Sequence, residues 1–95
     1  MASIEFDARK DRINRAKHGI SLSRARDFEW NEARIEPDGR RDYGEPRFVA
    51  TGMIGGRMHV LAFTRRGDVV RAIGLRKANA RERKRHEQKE ETATH

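Results

Sequence analysis

The chain has 95 residues, of which 39% are charged and 35% apolar; its 22 lysines and arginines outnumber 15 aspartates and glutamates, a formal charge of +7. This length supports one domain with a modest core, and the excess of cations favours nucleic acid or an acidic protein as partner. The absence of cysteine excludes disulfides and thiol catalysis. The longest apolar runs, such as Val60-Leu61-Ala62-Phe63, fall far short of a bilayer span, so the cytoplasm is the expected location.

After the short apolar stretch Ile4-Glu5-Phe6, Asp7 is an N-cap for a helix through about His18, with Ala8, Ile13 and Ala16 expected to face inward. Gly19 supplies a left-handed stop. Ser21 then caps a second short helix, in which Leu22, Ala25 and Phe28 recur at helical spacing, and Trp30 is expected to close the core beneath it. Residues 31–37 read as a turn followed by a short strand around Ile35, and residues 38–44 have loop composition, with Tyr43 as the one aromatic free to stack on a base.

From Pro46 the period changes to two. Three strands are predicted, Arg47 to Ile54, Arg57 to Thr64 and Val69 to Leu75, joined by a Gly55-Gly56 hairpin turn and by residues 65–68. Along the middle strand, Met58, Val60, Ala62 and Thr64 alternate with His59, Leu61 and Phe63, so both faces of the sheet carry apolar residues. His59 reads as a core or interface histidine. A last helix is expected after Ala78, with Asn79 and Glu82 forming a capping box; it should run to about Lys89, and residues 90–95 read as a disordered tail after a single domain spanning 1–89. The fold class predicted is α+β: two N-terminal helices, a twisted antiparallel meander and a C-terminal helix.

Several motifs together resemble the BrnT toxins of bacterial type II toxin–antitoxin systems, small ribonucleases with a RelE-like fold. They are Phe6-Asp7, Lys10, Asn14 and Lys17-His18-Gly19-Ile20-Ser21; then Glu45-x-Arg47-Phe48, Gly52 and Thr64-x-Arg66; then Arg71-x-Ile73, Arg76-Lys77-Ala78 and Arg81-Glu82. The resemblance implies RNA cleavage, growth arrest and a hetero-oligomer with a BrnA-type antitoxin, through which alone DNA would be contacted. It departs at His86, where the family usually has a tyrosine.

Metal-free RNA cleavage needs a base for the 2′-hydroxyl, cations for the phosphorane and an acid for the leaving 5′-oxygen. On this reading Lys17, His18 and Glu82 transfer protons, while Arg47, Arg66 and Arg76 hold phosphate. Arg76 is the leading candidate, because its fork matches phosphate geometry. Lys77, Arg81 and Lys84, read as one helical face, form an electrostatic footprint for RNA or antitoxin, and His86 is placed with them as RNA-binding. Other uses compete: Lys17 and His18 also suit a helix C-terminus, and Glu82 suits a cap. The scattered histidines lack metal-ligand spacing and no glycine-rich phosphate cradle is present, so no cofactor is expected. The competing reading is a non-catalytic basic module for nucleic acid or a protein partner. The uncovered sheet face and the last helix are the expected antitoxin interface.

Overall fold

The computed structural model describes residues 3–39 and 44–93, with side chains described as far as Glu87. Tyr43 and most of its loop lie outside the described residues. The elements are β1 (Ser3–Glu5), α1 (Ala8–His18), a 3-10 helix (Leu22–Asp27), β2 (Glu29–Pro37), β3 (Phe48–Ile54), β4 (Arg57–Arg66), β5 (Val69–Lys77) and α2 (Ala80–Ala93). They build one five-stranded sheet in the order β1-β5-β4-β3-β2. The predicted meander is therefore the centre of a wider sheet. β1 adds in parallel to β5 at one edge, and β2 pairs antiparallel with β3 at the other.

Local signals set the ends of α1. The Asp7 carboxylate accepts the Arg9 N–H at 3.0 Å, and Gly19, at φ 70°, donates its N–H to the Arg15 carbonyl. The inward residues differ from expectation. Ala8, Ile13 and Ala16 are all exposed, Ile13 at 55%, and the buried residue of α1 is Asn14. This helix docks by polar bonds to β5, so its apolar residues were poor guides to its orientation.

The expected second helix is a single six-residue 3-10 segment, leaving α1 as the only N-terminal α-helix among the described residues. Its bonds are of the i to i−3 kind: Arg24 N–H to Ser21 C=O and Phe28 N–H to Ala25 C=O. Asp11 of α1 ties down its start, accepting the Leu22 N–H at 2.7 Å and the Ser21 hydroxyl at 3.0 Å. The Leu22 N–H, first, and that hydroxyl hold the Asp11 carboxyl below its usual range.

Leu22, Ala25 and Phe28 do cover the sheet. They pack on a core of Ala50, Ile54, Leu61, Phe63, Val70, Ala72 and Leu75. Trp30 closes this core edge-on to Phe28 and Phe63, at centroid distances of 4.8 and 5.3 Å. It does so from β2, because the strand begins at Glu29, ahead of the turn and short strand expected over residues 31–37; an irregular register between Glu29 and Arg34 hides the strand's period.

The remaining strands are shifted at their ends. β3 begins at Phe48, β4 runs on to Arg66 and β5 to Lys77, so only Gly67 and Asp68 form the turn between them. Gly55 and Gly56, at φ 54° and 77°, make the expected hairpin turn. The opposite face of the sheet carries a smaller cluster of Met58, Val60 and Ala78 with Val49 and Met53. His59 is buried on the first face, its Nδ1 2.8 Å from the Arg57 carbonyl oxygen. α2 continues past Lys89 to Ala93, beyond its expected end; residues 94–95 lie outside the described residues.

Candidate functional site

Strand register determines which side chains can meet on the face beneath α2. Arg34, Thr51, Val60 and Arg76 are successive partners across β2, β3, β4 and β5, and Glu36, Val49, Ala62 and Gly74 form the parallel row beside them. Side chains directly opposite in adjacent strands share a face. Both rows form the floor of a cleft of about 460 Å³, completed by His18 and by Glu82, Arg85 and His86 of α2.

Arg76 and Glu82 dominate one end. The two guanidinium Nη atoms donate separately to the two carboxylate oxygens, at 2.7 and 2.8 Å, a fork-to-fork pair. The capping box is also present: the Asn79 N–H donates to Glu82 Oε1 at 2.9 Å, and the Glu82 N–H donates to Asn79 Oδ1 at 2.8 Å. Both oxygens of Glu82 are therefore engaged. The Arg76 hydrogen bonds, ahead of the Asn79 bond and against the cost of burial, hold its carboxyl below the usual range.

His18, the last residue of α1, faces the same end. The ring is largely exposed, and partial loss of hydration, ahead of the positive charges of Lys17 and Arg76, lowers its pKa below the ordinary 6.5. Lys17 is exposed beside it. The structure thus brings together His18, Arg76 and Glu82, with Lys17 adjoining.

Other predicted residues lie elsewhere. Arg66 ends β4, six residues along from the Val60 partner of Arg76, which is about 20 Å at the rise of a strand, and it pairs with Glu45 at 3.6 Å. Arg47 precedes β3, half-buried, its carbonyl accepting the Asp38 N–H at 2.8 Å. Lys77 belongs to β5, not to a helix, and alternation turns it to the face opposite Arg76; of these three only Arg81 and Lys84 lie on α2, both exposed. His86 is not a surface residue. It is 7% exposed and lies between α2 and the sheet, where a helix with almost no apolar side chains uses an imidazole to dock.

Sequence reasoning missed Arg34, Glu36 and Arg85. The two-residue spacing of Arg34 and Glu36 about Ile35, in the segment read as a turn and a short strand, was a usable signal for a shared face that was not taken up. Among the described residues no group of three or more histidine, aspartate or glutamate side chains is arranged to hold a metal ion, and no helix is long and apolar enough to cross a membrane.

A basic α+β domain, with one sheet bearing a helical layer on one face and an arginine- and histidine-lined cleft on the other, is the class these features define. The profile of a family described as "Ribonuclease toxin, BrnT, of type II toxin-antitoxin system" matches residues 6–82, and the chain belongs to that family. Toxins of such systems are paired with an antitoxin protein. None of the curated proteins compared with the chain matches it significantly.

Proposed function

We propose that this chain is a metal-independent cytoplasmic endoribonuclease whose cleavage of RNA inhibits translation and growth, and that a BrnA-type antitoxin neutralises it. The observation that carries this reading is the meeting of His18 with Arg76 at one end of the cleft, where the pKa of the imidazole is lowered. A neutral imidazole is the group suited to take the proton of a ribose 2′-hydroxyl. The 2′-oxygen then attacks the adjacent phosphorus, the bond to the 5′-oxygen breaks, and a 2′,3′-cyclic phosphate and a 5′-hydroxyl result. Arg76 neutralises the charge that builds on the phosphorane.

Glu82 acts on this reading by orienting Arg76, since an ionised carboxylate with both oxygens engaged is a poor proton carrier. Lys17, one residue before His18, is the cation available to protonate the leaving oxygen. Arg81 and Lys84 draw the RNA backbone toward the cleft, and Arg47 and Arg66 contact it farther out. The test is expression of the wild-type chain beside His18→Ala and Arg76→Lys at equal protein level. The wild type should arrest growth and leave cyclic-phosphate RNA ends in the presence of EDTA; the variants should do neither. Equal toxicity of all three would refute the assignment.

One observation favours a second reading, a non-catalytic module that binds nucleic acid or a protein. Arg76 already holds a carboxylate in the position a phosphate would take. On that reading purified protein binds RNA without shortening it.

A further inference from the structure

The cleft has a second cationic end. Arg34 Nη2, from β2, and Arg85 Nη2, from α2, both pair with Glu36 Oε1, the latter at 3.5 Å. We propose that Arg34 and Arg85, gathered on Glu36, form a second phosphate subsite for the RNA backbone, several nucleotides from the phosphate held by Arg76. This rests on the ribonuclease reading above.

Three features support it. The first is register: Arg34 and Arg76 terminate one cross-strand row, Arg34-Thr51-Val60-Arg76, so both line the same cleft. Three inter-strand steps of about 4.8 Å separate their Cα atoms by about 14 Å. At about 3.4 Å per nucleotide of a helical strand, that spans some four steps, and fewer where the strand is extended.

The second is donor surplus. A guanidinium carries five N–H donors in a fixed fork, and Glu36 takes up one nitrogen of each arginine. The Arg34 side chain is only 18% exposed, so its remaining donors lie on a partly dehydrated wall, where a charged hydrogen bond is stronger than in bulk water. The third is the floor between the ends. Thr51, Val49, Val60 and Ala62 carry no charge and leave room for sugars and bases between two held phosphates.

Glu36 and Asp38, which also lines this end, oppose an anion. The subsite therefore contributes affinity and register, while the chemistry stays with His18 and Arg76. The bland use of the same three residues is a brace from β2 to α2. A brace carries no dependence on RNA length.

The experiment measures binding of labelled 2′-O-methyl oligonucleotides, two and six nucleotides long, by anisotropy across a salt series. Wild type, Arg34→Gln, Arg85→Gln and Arg76→Gln are compared, each with its melting temperature. Arg34→Gln and Arg85→Gln should each weaken the hexanucleotide about tenfold more than the dinucleotide. Each should also reduce the salt slope for the hexanucleotide by about 0.7. Arg76→Gln should weaken both lengths alike.

Equal losses at both lengths in the Arg34 and Arg85 variants, or no loss, would overturn the subsite. So would a wild type that binds neither oligonucleotide. If Arg34→Gln does not fold, Arg85→Gln, on an exposed helix side, decides alone. A wild type that shows the length effect but leaves unmodified RNA intact removes the ribonuclease reading and keeps the subsite.

Discussion

Asn14 meets the backbone of Leu75 as a neighbouring strand would: its Nδ2 donates to the Leu75 carbonyl at 2.8 Å and its Oδ1 accepts the Leu75 N–H at 3.0 Å. β1 pairs with β5 only as far as Glu5 and Arg71, which leaves this stretch of the β5 edge open. One amide side chain closes it, and a further bond from Nδ2 to the Ile20 carbonyl fastens the chain after the helix. His18 lies four residues on, along the same side of α1, and so arrives beside Arg76.

Replacing Asn14 with Ala should strand the Leu75 N–H and C=O in a buried place and cost about 2–4 kcal/mol, measured by chemical denaturation. It should also return the His18 titration toward the ordinary 6.5, read by NMR of the imidazole, as the ring drifts from Arg76. A destabilised variant with an unchanged His18 titration would limit Asn14 to holding the fold.

The Arg76–Glu82 pair makes the attachment of α2 depend on pH. Because the folded Glu82 carboxyl is depressed below the ordinary glutamate value of 4.5, its contribution is fully present above that value and is lost as pH falls through the lower, folded value. Glu82→Gln should be less stable than wild type at neutral pH, and the two melting temperatures should converge in acid. A constant gap between them down to pH 2 would contradict the linkage.

Gly52 has no room for a side chain. A Cβ there would stand 2.7 Å from Phe28 Cζ and 3.1 Å from the Ala33 methyl, so Gly52→Ala must displace the ring that roofs the core. The expected loss is about 1–3 kcal/mol by denaturation. Little or no loss would mean that Phe28 has another place to go.

Thr64 offers the opposite case. Its side chain is buried, and among the described residues its hydroxyl has no hydrogen-bond partner. Thr64→Val removes that stranded group at nearly constant shape and should leave the melting temperature unchanged or raise it. A clear fall would reveal a partner for the hydroxyl.

Much of the architecture could be read from short-range signals. Asp7 and Gly19 bound α1, Gly55-Gly56 turns the central hairpin, and Asn79 with Glu82 opens α2, because each is a hydrogen bond or dihedral requirement settled within a few residues. The alternation in β4 correctly separated Leu61 and Phe63 from Met58 and Val60. Ile13 misled because an apolar residue signals burial only if some surface arrives to cover it, and none does among the described residues. Trp30 was placed in the core but not in a strand, because the irregular start of β2 erases the two-residue period.

The site was legible only in part. Composition and local pattern determined the basic character of the chain, its α+β class, the starts of α1, β4, β5 and α2, and the presence of an arginine at a strand end beside a capping glutamate. Which of the many cations share a cleft was decided by strand order and register. These put Arg76 in line with Arg34, bring His18 over the β5 edge through Asn14, and leave Arg66 about 20 Å away at the hairpin tip. The physical reason is one of range: caps and turns are satisfied within a few residues, whereas convergence of charges depends on which backbone edges, far apart in the chain, complete one another's hydrogen bonds.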